Sequence, residues 1–321
     1  MATAGRAKHW TELEERGADW GPSLMAFIYR TLGRTMCRVV MAPVILFFYV
    51  MGTRQRRASL DYLRRAWAAQ GRTDRPGHWH ALRHFFAFGD CLIDKYAAWL
   101  GHIVRADVDG TDSAGFEELR RDPRGIAVIT AHFGAIEIVR AIATRDHRRR
   151  VTIVIHTKHA RRYNDLLKRF APESQVSLVE ATDFGVGAAV ELAAAVERGE
   201  WVVIMGDRMP ASRNGRTLTA EFLGAPAAFP QGPFILASAL RAPTYMLFCY
   251  KAGAKYRVHL SPLSRLEGSR RNRMAELGGL IERYARTLEE LVKVAPYQWF
   301  NFYEFWAGAA SVREEERRGG D

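Results

Sequence analysis

The sequence predicts an α/β fold, a mostly parallel central sheet covered by helices, with an N-terminal helical segment that associates with membrane. Three observations carry this. From about residue 125 onward, short β-branched apolar runs alternate with stretches of helical spacing, the pattern of strands joined by covering helices. Residues 20–100 set Trp, Phe and Leu at helical rather than alternating intervals. The 321 residues, 48% of them hydrophobic, are enough to bury a sizeable core in one large domain or two small ones.

The elements follow in chain order. Residues 1–20 are polar and amphipathic. From Val39 to Thr53 there is no charged residue, and Val44-Ile45-Leu46-Phe47-Phe48-Tyr49-Val50-Met51 is strongly apolar. That run is shorter than the roughly 20 residues a spanning helix needs. Arg30, Arg34 and Arg38 precede it, and Arg54, Arg56 and Arg57 follow. Basic flanks suit a helix lying in or dipping into an anionic leaflet, and a buried core helix is the alternative. Pro43 starts or kinks any helix there. A polar leader and the lack of a small-residue cleavage site argue against a signal peptide. Arg72-Thr73-Asp74-Arg75-Pro76-Gly77 reads as a loop. Strands are expected at 127–130, 151–155, 176–179, 202–205, 244–249 and 256–260. Helices are expected at 135–144, 160–170, 185–198, 231–241 and 270–294. The division is a membrane-associating segment over 1–60, a main domain over 61–310 and a frayed tail over 311–321.

The formal charge is +12, and such a surplus calls for an anionic partner: lipid, an acidic carrier protein, a phosphorylated substrate or nucleic acid. Cys37, Cys91 and Cys249 are far apart and odd in number, which suggests a reducing compartment and no disulfide framework.

The most informative stretch is Ile126-Ala127-Val128-Ile129-Thr130-Ala131-His132-Phe133-Gly134-Ala135-Ile136-Glu137. A buried strand delivers a histidine to the carboxyl edge of the sheet, where open α/β folds build their sites. Residues five apart on an ideal helix point roughly 140° away from each other. His132 and Glu137 therefore meet only if the histidine sits in the turn before the helix, and Gly134 permits that turn. A carboxylate on one ring nitrogen leaves the other free to act as a base. Spacing alone favours a blander reading, a structural histidine and a solvated glutamate. Asp207 and Arg208 end another buried strand and reach the same edge, where the guanidinium can hold an anion or simply form a structural ion pair. Arg161, Arg162 and Asn164 open the 160–170 helix, which reads equally as a ligand-facing or a solvated basic start.

His132, four intervening residues and an acid resemble the signature of glycerolipid-type acyltransferases. The segment is similar to that of the lipid A biosynthesis (late) acyltransferase family, in the lysophospholipid acyltransferase superfamily. Three further blocks resemble that family in order and spacing. They are Trp201-Val202-Val203-Ile204-Met205-Gly206-Asp207-Arg208; Glu221-Phe222-Leu223-Gly224 with Phe229-Pro230-Gln231-Gly232-Pro233, a loop leading into a helix; and the strand Ala242-Pro243-Thr244-Tyr245-Met246. The likeness covers about residues 20–305. Residues 296–306, rich in Trp, Phe and Tyr, are similar to a branch associated with aryl polyene lipid pathways.

The resemblance implies an O-acyltransferase, with residues 61–310 as its acyltransferase domain. It moves a fatty acyl group from acyl carrier protein or a coenzyme A thioester to a hydroxyl of a lipid or glycolipid. His132 is then the base and Glu137 its orienting partner. Asp207, Arg208, Arg161, Arg162, Asn164 and Gly134 bind substrate, and backbone N–H groups of the 132–135 turn stabilise the oxyanion. No cofactor or metal is implied, and the partners are the thioester donor, the acceptor and an anionic membrane surface rather than nucleic acid. The implied location is the cytoplasmic face of a bacterial inner membrane. The competing readings are an acyltransferase of an aryl polyene or other lipid pathway, and a non-catalytic basic membrane- or nucleic-acid-binding protein on the same scaffold.

Other motifs fail. His80 and His84 have the i, i+4 spacing of a metal pair but lack a third ligand, as do His156 and His159. Gly185-Val186-Gly187 lacks the third glycine of a dinucleotide turn, and there is no GxSxG, P-loop or HExxH. The aromatics at 297–306 suit a closed core or a membrane interface better than base stacking.

Overall fold

The computed structural model describes residues 21–111, 113–147, 149–155, 176–180, 186–208, 216–264, 266 and 272–308. The expected helix at 160–170, with Arg161, Arg162, Asn164, His156 and His159, lies outside the described residues, as do residues 1–20 and the 311–321 tail. The helices are α1 (Gly21–Met51), α2 (Thr53–Ala69), α3 (His78–Trp99), α4 (Ala114–Arg121), α5 (Ile136–His147), α6 (Val186–Glu197), α7 (Gly232–Ala239) and α8 (Arg273–Val294). The strands are β1 (Val108–Asp109), β2 (Ile126–Thr130), β3 (Val151–Ile155), β4 (Val176–Glu180), β5 (Trp201–Met205), β6 (Thr217–Phe222), β7 (Ala225–Pro230), β8 (Thr244–Ala252) and β9 (Lys255–Leu263).

Seven strands form one sheet in the order β1-β9-β8-β2-β5-β3-β4. Every pairing is parallel except the β8–β9 hairpin, closed by Gly253 at φ 69°. β2 lies at the centre and is buried along its whole length, so it reads as a continuous apolar run. Its side chains alternate between two cores. Ala127 and Ile129 face the layer that includes α2, α6, α7 and α8. Ile126 and Val128 face the layer of α1, α3, α4 and α5. α8 shows how the covering works. Leu277, Leu280, Ile281, Tyr284, Ala285, Leu288, Leu291 and Val292 are buried at the spacing of a single helical stripe. Each Leu, Ile and Val among them contributes about 1.5–3 kcal/mol of gross burial, most of it offset by ordering entropy.

Of the block expected as a loop leading into a helix, the helix follows as expected at Gly232, and the loop is instead the β6–β7 hairpin. Leu223 (φ 52°) and Gly224 (φ 73°) turn it, both at positive φ as a type I′ turn requires. Pro226 and Pro230 disguise the second strand, yet they are tolerated because the hairpin is a separate two-stranded sheet whose strands are both edges. Leu223 is an unusual residue at that φ, and Glu289 of α8 braces it by accepting its N–H at 2.6 Å.

α1 is longer than its uncharged run. Ser23–Met51, 29 residues, is long and apolar enough to cross a membrane by length and composition, with a mean hydropathy of 1.6 over an 18-residue window. The uncharged stretch by itself stays shorter than a span, and the extra length comes from the arginine-bearing helix before it. The helix extends through its arginines because α3 neutralises them: Arg38 forms two bonds to Asp90, and Arg34 pairs with buried Asp94. Gly33, at φ 77°, breaks the helix one residue before the first of these anchors. Cys37 and Ile45 face inward, and a Cβ at Gly89 of α3 would collide with Ile45. The helices thus run antiparallel in close contact, leaving Phe27, Leu32, Met36, Val39, Phe47, Phe48 and Val50 exposed. α1 is a candidate membrane-associating segment.

Asp94→Ala should lower the unfolding free energy by about 2–3 kcal/mol, below the range for a fully buried pair because Arg34 is partly exposed. Denaturant unfolding of the whole chain in detergent measures it, and an unchanged midpoint would mean that packing alone holds α1.

Candidate active site

Register builds the site. β2 and β5 run parallel with Thr130 opposite Met205. Two residues further on, each strand delivers one polar side chain to the carboxyl edge: His132 from β2 and Asp207 from β5. His132 Nδ1 lies 2.8 Å from Asp207 Oδ1, and the His132 backbone N–H donates to Oδ2 at 2.9 Å. A carboxylate only accepts, so Nδ1 carries the proton and Nε2 keeps its lone pair. The Asp207 side chain is 1% exposed and the imidazole 32% exposed, so the acid is sealed while the ring reaches the surface.

Burial, then the Arg208 charge, hold the His132 pKa below its ordinary value, while Asp207 pulls the other way. Lys95 adds a further lowering push. Burial works to raise the Asp207 pKa, but the charge and hydrogen bond of His132, and Arg208, overcome it and leave the carboxyl below its usual range. The resting pair is therefore carboxylate and neutral imidazole near neutral pH.

Arg208 lies across the ring. Its Nε–H donates to His132 Nε2 at 3.3 Å, and its terminal nitrogens reach Asn301 Oδ1 and the Phe300 carbonyl, each at 3.4 Å. The guanidinium also sits 5.4 Å from the Tyr303 ring centroid. The floor of the site is the 298–301 segment, which pairs with the His132 turn. Gly134 N–H donates to the Gln298 carbonyl at 2.8 Å, and Phe300 N–H to the His132 carbonyl at 2.8 Å. Trp299 Nε1–H donates to Asp207 Oδ2 at 3.0 Å.

Three sequence expectations change here. Glu137 is not the partner of Nδ1. It begins α5, where Arg140 Nε donates to it at 2.6 Å and Trp99 Nε1 at 3.2 Å. The parallel register brings Asp207 to the ring first. Gly134 does not present its N–H to a substrate, because Gln298 takes it. Its φ of 61° and the Cys249 carbonyl, on which a Cβ would fall, make glycine a backbone requirement. The turn N–H groups of His132, Gly134 and Ala135 are all bound internally, the last to the Cys249 carbonyl at 2.7 Å, so none of these three is an oxyanion donor.

Sequence reasoning missed Trp299, Asn301 and Tyr303 as site neighbours, since an aromatic run carries no spacing signal of its own. His80 and His84, read as a failed metal pair, are both engaged. His80 Nδ1 accepts the Gly77 N–H at 3.0 Å, capping α3, and His84 is buried between Ser59 and Trp299. Chemically, the arrangement offers a neutral base with a fixed tautomer, a buried carboxylate to stabilise its protonated form, and an adjacent guanidinium for negative charge.

Residues 94–307 match the profile of the family described as Bacterial lipid A biosynthesis acyltransferase. No individual curated protein sequence matches the chain.

The His132 ring should titrate below about 6.5, the ordinary value from which it is displaced. Arg208→Gln should raise the midpoint, because it removes a repelling cation, and Asp207→Asn should lower it, because it removes the stabilising anion. Imidazole NMR titration reads all three. A midpoint indifferent to Asp207→Asn would dissolve the pair.

Proposed function

The chain belongs to the bacterial lipid A biosynthesis acyltransferase family, and on that premise we propose that it transfers a fatty acyl group from an acyl carrier protein or coenzyme A thioester to a hydroxyl of a lipid or glycolipid. The observation that carries this reading is the His132 ring. Its Nδ1–H is fixed by a sealed carboxylate and its Nε2 lone pair is offered at the carboxyl edge of the sheet.

A thioester carbonyl is already electrophilic, so one positioned base suffices. His132 Nε2 takes the acceptor hydroxyl proton as the oxygen attacks the carbonyl carbon. The orienting role expected of Glu137 passes to Asp207, which steadies the imidazolium as it forms. Arg208 swings from Nε2 to the negative charge gathering on the carbonyl oxygen or to a substrate anion beside it. The tetrahedral intermediate collapses, the C–S bond breaks, and the proton on Nε2 passes to the departing thiolate. No acyl-enzyme, metal or other cofactor enters the scheme. Arg161, Arg162 and Asn164, which lie outside the described residues, are assigned to acceptor or carrier binding by the family resemblance alone.

The protein works at the cytoplasmic face of the inner membrane. The exposed apolar residues of α1, with exposed Arg54 and Arg57 just beyond its end and a net charge of +12, support attachment to an anionic leaflet.

His132→Ala should remove acyl transfer, and Asp207→Asn should cut kcat by about 10²–10⁴-fold, the worth of a positioned base. Thioester consumption with an acceptor lipid present measures both, and full activity of a folded His132→Ala variant would end the mechanism. The whole chain should sediment with anionic vesicles, and removal of residues 1–55 should weaken this. A chain that stays in the supernatant would contradict membrane attachment.

A further inference from the structure

We infer that Trp299 is the positioning residue of the His132–Asp207 pair, acting through its indole N–H on the carboxylate and seated by His84 from behind. The torsion that turns a carboxylate about its last bond is soft, so an aspartate side chain does not hold its own plane. Here the plane is held from two directions. Oδ2 accepts the His132 backbone N–H at 2.9 Å and the Trp299 Nε1–H at 3.0 Å, and this leaves Oδ1 aimed at Nδ1 at 2.8 Å. The first of these donors belongs to the same residue as the base. Trp299, far away in the chain, ties the carboxylate to the body of the molecule.

Trp299 is itself immobile. It is 0% exposed, and Tyr62, Phe222 and Phe305 pack edge-on against it with ring centroids 5.1, 5.1 and 5.0 Å away. Its carbonyl lies 2.9 Å from His84 Nε2, and His84 Nδ1 lies 2.9 Å from the Ser59 hydroxyl. A carbonyl only accepts, so Nε2 carries the His84 proton and Ser59 donates to Nδ1. Burial brings the His84 pKa down to about 4, against a smaller opposing effect of the bond to Trp299, so the ring stays neutral and this order of donors persists at neutral pH. The result is two runs of hydrogen bonds that share Trp299. Ser59 on α2 donates to His84 on α3 and His84 to the Trp299 carbonyl, while the Trp299 indole and the His132 ring both donate to Asp207.

The indole bond also sets the strength of the base. An N–H dipole on Oδ2 stabilises the carboxylate and moderates its pull on the His132 proton. The other groups facing the pair are Arg208, Lys95 from α3, Tyr284 from α8, and Tyr303, whose hydroxyl donates to the Asp207 carbonyl at 3.3 Å. Removing the indole N–H therefore leaves Asp207 a stronger partner for the imidazolium and raises the His132 pKa, while also loosening the carboxylate plane.

The test uses the full-length protein in detergent, with Trp299 replaced by 3-benzothienylalanine, whose sulfur occupies the place of the N–H at nearly unchanged shape. Trp299→Phe serves as a second variant. Nitrogen-15 NMR of the His132 ring reads tautomer and titration without needing turnover. The isosteric variant should admit some Nε2–H tautomer as the carboxylate loosens, yet titrate about 0.5 pH unit higher, the scale of one neutral hydrogen bond, because the His132 backbone N–H still holds Oδ2 and the unshielded charge outweighs the loosening. Its kcat should fall about tenfold with KM within about twofold, since the bond acts on the base and not on substrate binding. The acid limb of its kcat/KM profile should move up with the ring's titration. Trp299→Phe should move in the same direction with a lowered Tm. A folded isosteric variant with wild-type tautomer, midpoint and kcat would reduce Trp299 to packing and overturn the inference. The kinetic arm rests on the acyl-transfer reading. A shifted tautomer in the variant, alongside a wild-type chain that transfers no acyl group, would support the positioning and sink that reading instead.

Discussion

Everything at the carboxyl edge depends on the parallel pairing of β2 with β5. Five consecutive residues of each strand are in register, from Ile126 against Trp201 to Thr130 against Met205. Because the strands run the same way, whatever follows each by an equal number of residues emerges side by side. His132 and Asp207 are such a pair. Tyr284 and Gly206 keep that pairing intact at its exit. The Tyr284 hydroxyl donates to the Thr130 carbonyl at 2.8 Å, and Gly206 N–H donates to the same carbonyl at 2.8 Å. A Cβ at Gly206 would press on the Tyr284 ring at 2.9 Å, so close packing and the fixed strand exit are one constraint.

A buried carboxylate is costly unless it is bonded on all sides. Asp207 meets that condition with donors from two parts of the chain, the His132 ring and backbone and the Trp299 indole, and the Arg208 charge nearby lowers its pKa further. The aromatic segment near the C-terminus is thus more than filling. It pairs with the His132 turn, seals the acid from water and carries the arginine's other contacts. The seal leaves the imidazole partly open, which is the asymmetry a proton-transfer site needs.

The same logic of compensated charge explains how α1 stays attached. Arg34 and Arg38 fall on the side facing α3, where Asp94 and Asp90 meet them, and its outward side is left largely apolar. An apolar helix fastened along its length to the body brings any bilayer it touches close to the sheet layer that α3 and α5 cover. α3 carries contacts to both. Its Asp94 holds α1, while its His84 reaches the backbone of Trp299.

The sequence by itself determined the layer plan. Six strands of the main sheet and the long helices were legible because fully buried strands and one-sided helices leave strong periodic signals. His132 and Asp207 were both legible as strand-end residues, since a polar side chain directly after a buried apolar run marks the point where the chain leaves the core. Which acid serves the histidine was decided only by the tertiary structure. Glu137 is near in sequence, but hydrogen bonding follows strand register, and register is a long-range property that no local spacing encodes. The β6–β7 hairpin escaped because its prolines mimic a loop until the strands are seen as a free-standing edge pair. Trp299 and His84 escaped for the same reason as Asp207's role: an indole N–H or a buried imidazole acquires its function from the acceptor the fold brings to it.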